Sequence, residues 1–339
     1  MLYIHIPFCD SKCHYCAFNS FTSNHHLKGA YVDALLAQLR FEIERFEVKN
    51  FRTIFIGGGT PSTLPVSMYE RIFSLLEPYL ENCQEITIEA NPTAKKEWIF
   101  SIKEFATRIS FGVQSFNEDK LKFLGRSHSP KDAIEAIENA AKAGFSHINL
   151  DLIYDCSIDS YKLLQNDIDL ALSLPIDHIS AYALTLEENT PFFGQPVKKN
   201  EERFAYYVKG LIERRLPQYE VSNFGTPSLH NLGYWELRDY VGAGCGAVGF
   251  KKNRRFYPSS DLHTYIANPL AIDEECLSEE DLRMERIFLG LRSCVGVDKE
   301  LVDEAKANIL CEEGKLRFEN GRYYNTNYFL ADEIALFLL

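Results

Sequence analysis

The chain has no run of about 20 consecutive apolar residues, the length a helix needs to cross a bilayer. It has no basic stretch leading into an apolar one at its start, so a secretory signal is not expected and a cytoplasmic location is. Positive charge is in short supply: 36 Lys and Arg stand against 48 Asp and Glu, a formal charge of -12. That balance repels phosphate backbones and removes the term that dominates nucleic-acid affinity, so nucleic acid is not an expected partner. One local exception, KKNRR at 251–255, reads either as a solvated hairpin tip or as a seat for an anionic group, the tip being the simpler reading. Internal repeats, low-complexity tracts and long linkers are also missing. Nine cysteines, odd in number and mostly scattered, do not make a disulfide framework.

What is present, over 339 residues of which 46% are hydrophobic, is an alternation of short β-rich runs and longer helical ones. LYIHI (2–6), RTIFIGGG, EITIEANP, RISFGVQSF, HINLDLIY and HISAYALT read as six strands. Between them, AYVDALLAQLRFEIERF places Tyr31, Leu35, Leu39, Ile43 and Phe46 on one helical face, and SPKDAIEAIENAAKAG opens at Ser129-Pro130 and closes at Gly144. Six such alternations imply parallel strands joined by right-handed crossovers. Strands of this kind are buried on both faces or close into a full or partial barrel, with chemistry at their C-terminal ends. The polar oddities fall there: a cysteine loop after the first strand, Gly57-Gly58-Gly59-Thr60 after the second, Glu89, Gln114 and Asp151 beyond. From about residue 278 two helices, a hairpin turning near Asn320-Gly321 and a last helix resemble a winged-helix module, more acidic than basic and so a packing or partner domain.

Cys9, Cys13 and Cys16 occupy one loop, spaced CxxxCxxC, and the position two beyond Cys16 is Phe18. Clustered thiols suit zinc or iron-sulfur chemistry. A structural zinc site wants four ligands, commonly two CxxC pairs, and there is no second pair; His5 and His14 remain as possible completions. Three thiolates can alternatively hold three irons of a cubane and leave the fourth open to a small molecule.

This loop, with Tyr15 before its last cysteine, resembles the signature of the radical S-adenosylmethionine (SAM) superfamily. YIHIPFC, GGGTPS (57–62), IEANP (88–92), ISFGVQSF (109–116), LGRSH (124–128), NLDLIY (149–154), HISAYALTLEENTPF (178–192) and YEVSNF (219–224) resemble, in order, the motifs of the family that holds oxygen-independent coproporphyrinogen III dehydrogenase and the haem chaperones. The resemblance implies an α/β fold, a partial (β/α)6 TIM-type barrel over 1–200, a family-specific extension over 201–277 and the small winged-helix-like α+β domain over 278–339. It implies a 4Fe-4S cluster on Cys9, Cys13 and Cys16, and a SAM site using Tyr3, Tyr15, Gly58, Gly59, Thr60, Glu89, Gln114, Arg126, Asp151, Ile153 and Ala183. In such proteins an electron from the cluster breaks a carbon-sulfur bond of SAM to give a 5'-deoxyadenosyl radical. One departure stands out: DLIYDCSIDS puts Asp155 and Ser157 where the family commonly has glycine and proline.

Within the family the dehydrogenases typically carry a further cysteine two positions after the third, where this chain has Phe18, and an N-terminal extension before the loop, where this chain begins almost directly with its first strand. SLHNLGYW instead places His230, Asn231, Tyr234 and Trp235 in the HNxxYW pattern of the haem chaperones. A neutral imidazole is a usual axial ligand of haem iron, and Tyr234 and Trp235 can pack on a porphyrin. The expectation is therefore a chaperone that carries haem as cargo and passes it to haem-requiring proteins, membrane-bound respiratory enzymes among them, with an electron donor for the cluster and a homodimer in some states. Oxidative decarboxylation of coproporphyrinogen III is the enzymatic alternative, and a purely structural cluster that ignores SAM a third.

Overall fold

The computed structural model describes all 339 residues, Met1–Leu339. Strands β1 (Leu2–Ile6), β2 (Thr53–Gly58), β3 (Glu85–Ala90), β4 (Arg108–Gln114), β5 (His147–Tyr154) and β6 (His178–Ala183) pair in parallel and in sequence order. The crossovers are α1 (Lys28–Arg45), α2 (Val66–Leu76), α3 (Lys96–Ile102), α4 (Glu118–Phe123) with α5 (Pro130–Ala143), and α6 (Tyr161–Ser173). The α5 helix shows why its ends fall where they do. Ser129 and Asp132 form a reciprocal capping box, Pro130 opens the first turn, and Gly144 ends it at φ 85°.

Each strand divides most of its residues between two environments. Ile4, Ile54, Ile56, Ile86, Ile88, Ile109, Phe111, Ile148, Leu150 and Ile179 join one 55-residue apolar core with Leu35, Leu39, Tyr69, Ile72, Ile99, Ile137 and Ile168 of the helices. Alternate positions, among them Glu89, Ser110, Asn149, Asp151 and Ser180, are polar and meet on the concave side. Burying one Ile or Leu contributes about 1.5–3 kcal/mol, and a one-residue slip would drive Asn149 and Asp151 into the helix layer, so the register is strongly set.

The stretch 201–277 completes this sheet. It contains α7 (Arg203–Ile212), β7 (Asn223–Gly225), α8 (Leu229–Trp235), β8 (Val241–Ala243), β9 (Gly249–Lys251), β10 (Arg254–Pro258), α9 (Leu262–Ala267) and β11 (Ile272–Cys276). β7 runs antiparallel to β6 and β8 parallel to β1, giving an eight-stranded open sheet, a partial barrel. Phe204, Val208, Ile212, Phe224, Val241 and Tyr265 belong to the barrel's own core. The KKNRR segment is the β9–β10 hairpin tip: Arg254 pairs with Glu274 at 2.9 Å, Arg255 with Glu285, and Lys251 donates to the Phe46 carbonyl. Those three cations have partners within the chain, and Lys252 is exposed at the tip.

The C-terminal part has a separate core of Ile287, Leu291, Val297, Leu310, Tyr323, Ile334 and neighbours. It is built from α10 (Glu279–Leu291), β12 (Val297–Asp298), α11 (Glu304–Glu312), β13 (Leu316–Glu319), β14 (Arg322–Asn325) and α12 (Ala331–Leu338), with an antiparallel sheet ordered β12-β14-β13. Three helices with a three-stranded sheet ending in a hairpin is the winged-helix arrangement. No helix is long and apolar enough to cross a membrane.

Candidate functional site

The loop after β1 is held in place by backbone bonds from three directions. Cys9 N–H donates to Phe21 O, His14 N–H to Leu124 O, and Phe192 N–H to His14 O, each at 3.1 Å. Cys9, Cys13 and Cys16 are unpaired and open onto one cavity of about 490 Å³ at the C-terminal ends of the strands. Tyr15, Gly58, Gly59, Thr60, Glu89, Gln114, Arg126, Asp151, Ile153 and Ala183 line the same cavity. Of the predicted cluster and SAM residues only Tyr3 lies outside its lining, one step deeper in the barrel with its hydroxyl 2.9 Å from His5 Nδ1.

The histidines needed for a zinc site are committed elsewhere. Both ring nitrogens of His5 are engaged, by Tyr3 and by the Asn19 carbonyl at 2.8 Å, while His14 Nδ1 faces the Phe123 carbonyl at 2.9 Å and its ring packs on Phe192. Neither lines the cavity that receives the thiols.

The donor set suits an electron-rich cluster. Thr60 Oγ1 donates to Cys9 Sγ at 3.3 Å and Arg126 Nη1 to Cys13 Sγ at 3.2 Å, the kind of bond that stabilises ligating thiolates. Arg126 Nη2 is anchored on the Gly112 carbonyl at 2.5 Å, and its Nε is buried without a partner. A Cβ at Gly59 would sit 2.9 Å from the Phe8 carbonyl oxygen and 3.1 Å from Cys9 Sγ. Gly58 adopts φ 115°, and a Cβ there would strike the His5 ring at 2.6 Å.

Two acids share the cavity with that guanidinium. Burial, then the charge of Asp151, pushes Glu89 up to about 8. Burial raises Asp151 to about 6 against the hydrogen bonds of Asn149 and Ser180 and the charge of Arg126. Carboxyls so disfavoured as anions are poised to receive cationic donors, and a carboxylate-bearing ligand finds Arg126 beside them. The residues present fit a three-thiolate cluster with an amino-acid ligand such as SAM.

Two positions in this region take left-handed backbone without being glycine. At Gln114 (φ 69°) the β4–β5 register breaks after Phe111 and the side chain turns into the cavity. At Asp155 (φ 68°), the departure from the family's glycine, the aspartate accepts from Glu201 N–H at 3.0 Å and pairs with Lys198 at 3.5 Å. A short polar side chain tolerates that conformation better than most. Tyr182, not among the predicted residues, also lines the cavity; the alternation that puts Asn149 and Asp151 inside on β5 puts Ser180 and Tyr182 inside on β6.

His230, Tyr234 and Trp235 are not brought to this cavity. They lie on α8, against the N-terminal ends of β2 and β3. His230 is fully buried, its Nδ1 2.9 Å from Thr53 Oγ1 and its Nε2 2.9 Å from the Tyr234 hydroxyl, and burial lowers its pKa to about 3. The Glu85 carboxylate anchors the helix start, accepting from Ser228 Oγ (3.0 Å) and from the N–H groups of Leu229 and His230 (3.1 Å each), while Arg108 Nε donates to it at 3.1 Å. Trp235 borders a second cavity of about 510 Å³ between α8 and the C-terminal part, with Leu232, Arg286, Cys294 and Leu301.

The pattern that defines the radical SAM superfamily matches residues 3–161, which carry β1 to β5 and the cysteine loop. Over 333 residues the chain is 35% identical to the haem chaperone HemW of Lactococcus lactis, covering 93% of this chain and 86% of that protein. The chain belongs to the HemW family of haem chaperones. The HemW of Bacillus subtilis is 34% identical (88% of this chain, 84% of that protein) and that of Escherichia coli 39% identical over 265 residues (73% and 69%). The coproporphyrinogen III oxidase HemN of Escherichia coli, a radical SAM enzyme, superposes with a TM-score of 0.79 at 19% identity, covering 99% of this chain and 89% of that one. This HemW-family chain therefore keeps the HemN fold from end to end. Radical SAM membership makes a 4Fe-4S cluster and SAM the cofactors of its family.

Proposed function

We propose that this chain binds haem and transfers it to haem-requiring proteins, with the cluster and SAM held by the residues of the thiol cavity and haem met by α8. The observation that carries the reading is α8 itself: a short helix bearing His230, Tyr234 and Trp235, anchored on a buried carboxylate, in a chain related along most of its length to haem chaperones. When bound, the cluster and SAM supply one-electron chemistry and scission of a carbon-sulfur bond. The chain's own part is to place Thr60 and Arg126 against thiolate sulfur, to keep Glu89 and Asp151 as acceptors, and to shape the glycine wall.

Depressed basicity keeps His230 neutral across physiological pH, the form that ligates iron. With its ring fully buried and Nε2 on the Tyr234 hydroxyl, His230 meets iron only when α8 opens and that hydroxyl is displaced. Beside Trp235 the second cavity offers Leu232, Val295, Val297 and Leu301 to the face of a planar porphyrin and Arg286 to a propionate, with Glu236 and Asp298 also on its lining. The same reading supplies haem-accepting proteins, including membrane-bound respiratory enzymes, as partners, an electron donor for the cluster, a cytoplasmic location and a dimer in some states. Phe18, 67% exposed at the rim where the dehydrogenases carry a thiol, disfavours porphyrinogen decarboxylation.

The test is a haem titration of the anaerobically reconstituted protein. A Soret band that shifts or vanishes in His230→Ala and persists in Thr53→Val, which keeps the imidazole, is the expected result. Turnover of coproporphyrinogen III to a decarboxylated product would overturn the reading, as would a Soret band indifferent to His230→Ala.

A further inference from the structure

The two ends of the barrel are joined through its interior. Asp151 Oδ1, in the thiol cavity, accepts from Asn149 Nδ2 at 2.8 Å. Asn149 Oδ1 lies 2.6 Å from His178 Nδ1, and His178 Nε2 lies 2.8 Å from the Tyr219 hydroxyl. The Tyr219 oxygen accepts from Ser228 N–H at 3.1 Å. Ser228 Oγ donates to Glu85 at 3.0 Å, and Glu85 accepts from His230 N–H. Asn149, His178, Tyr219, Ser228, Glu85 and His230 are each less than a tenth exposed, so water does not compete along the route.

The column has a direction. Asp151 as a carboxylate only accepts, which fixes the Asn149 amide with nitrogen toward it and oxygen toward His178. His178, kept neutral by burial, which lowers its pKa to about 3, then donates from Nδ1 and accepts at Nε2 from Tyr219. The tautomer follows from the network. Ser228 is the last switch, since its hydroxyl caps α8 by accepting from Asn231 N–H while also donating to Glu85.

We propose that this column couples the two sites: engagement of Asp151 by a ligand's hydroxyl or ammonium donors repositions Asn149, His178 and Tyr219 and with them α8, so that SAM and haem bind with linked affinities. The proposal rests on the reading that SAM occupies the thiol cavity and haem meets α8. His178 and Tyr219 are positioning residues in it, touching neither ligand. Buried hydrogen-bond chains reinforce one another, and a change at one end is felt along them. Linkage makes the effect reciprocal.

Two tryptophans, Trp98 on α3 and Trp235 on α8, give the readout, because Trp98→Phe leaves the α8 indole alone. In full-length reconstituted protein, SAM is titrated by calorimetry and by Trp235 emission, and haem affinity is measured with and without SAM. The expected outcome is an emission change that saturates with the heat, and a haem affinity altered about fivefold or more by SAM. Tyr219→Phe, which removes one oxygen, and Ser228→Ala, which cuts the lower link, should each retain the SAM heat and bring the affinity ratio to within about twofold of unity. SAM heat with no response at Trp235 or in haem affinity overturns the coupling alone, as does a ratio unchanged in both variants. Absence of SAM heat overturns the cavity reading and the coupling together.

Discussion

Glu85→Gln tests how α8 is held. The Glu85 carboxylate is a common acceptor for Ser228 Oγ, Leu229 N, His230 N and Arg108 Nε, all between 3.0 and 3.1 Å, and it and Arg108 are 4% and 3% exposed at the side chain. Glutamine keeps the shape, removes the charge and turns one of the two acceptor oxygens into an NH2 donor, leaving the Arg108 guanidinium buried beside the carbonyls of Thr226 and Pro227 without a counter-charge. Breaking a buried pair from one side costs about 3–5 kcal/mol. A seven-residue helix has little stability of its own, so the loss should fall on α8 first. Amide hydrogen exchange over Leu229–Trp235 should therefore speed by two orders of magnitude or more, about 3 kcal/mol of local opening, while the α5 amides change little. Adding Arg108→Met should return part of the loss, because the stranded charge is gone. About 1–2 kcal/mol should remain for the unaccepted helix N–H groups. Exchange at α8 in Glu85→Gln within about 0.5 kcal/mol of the parent, or strict additivity in the double variant, would refute the account.

Further outcomes follow from the cavity. Serine at any one of Cys9, Cys13 or Cys16 should remove the brown absorbance of the reconstituted cluster, whereas Thr60→Val should keep it and shift the reduction potential to more negative values, because Cys9 loses a donor; spectroelectrochemistry separates the two. Gly59→Ala should block cluster loading with the fold intact by circular dichroism, since the new methyl meets the Phe8 carbonyl and Cys9. Glu89 is raised from 4.5 to about 8, so between those values the unfolded side chain is ionised and the folded one protonated, and stability falls as pH rises through that window. A cationic ligand that prefers the carboxylate should then bind more tightly as pH rises toward 8 and release a proton near pH 7. Equal calorimetric heats in phosphate and Tris buffers would count against it.

The six parallel strands and the cavity were legible because period-two alternation and strand-end polar residues are local signals; RISFGVQ and NLDLIY display both faces of their strands in the letters alone. The edge strands β7 and β8, three residues each, are too short to show a period, and β12 has only two. The setting of His230 could not be read at all. Its partners Thr53 and Glu85 lie more than 140 residues away, at strand beginnings where nothing in the sequence marks them as more than ordinary polar residues. Tyr182 could have been found by extending the inward alternation from β5 to β6, and Asp155 by asking which residues besides glycine accept positive φ.

Because most apolar side chains of the strands face the helices and most polar ones face the lumen, much of the molecule's cohesion is carried by residues other than those that meet its ligands. Exchanges in the lumen, such as at Ser110 or Ser180, can redraw which ligands are admitted and how one responds to another while the outer shell keeps the chain folded. A scaffold divided in this way allows relatives with the same contour to diverge in chemistry without rebuilding their walls.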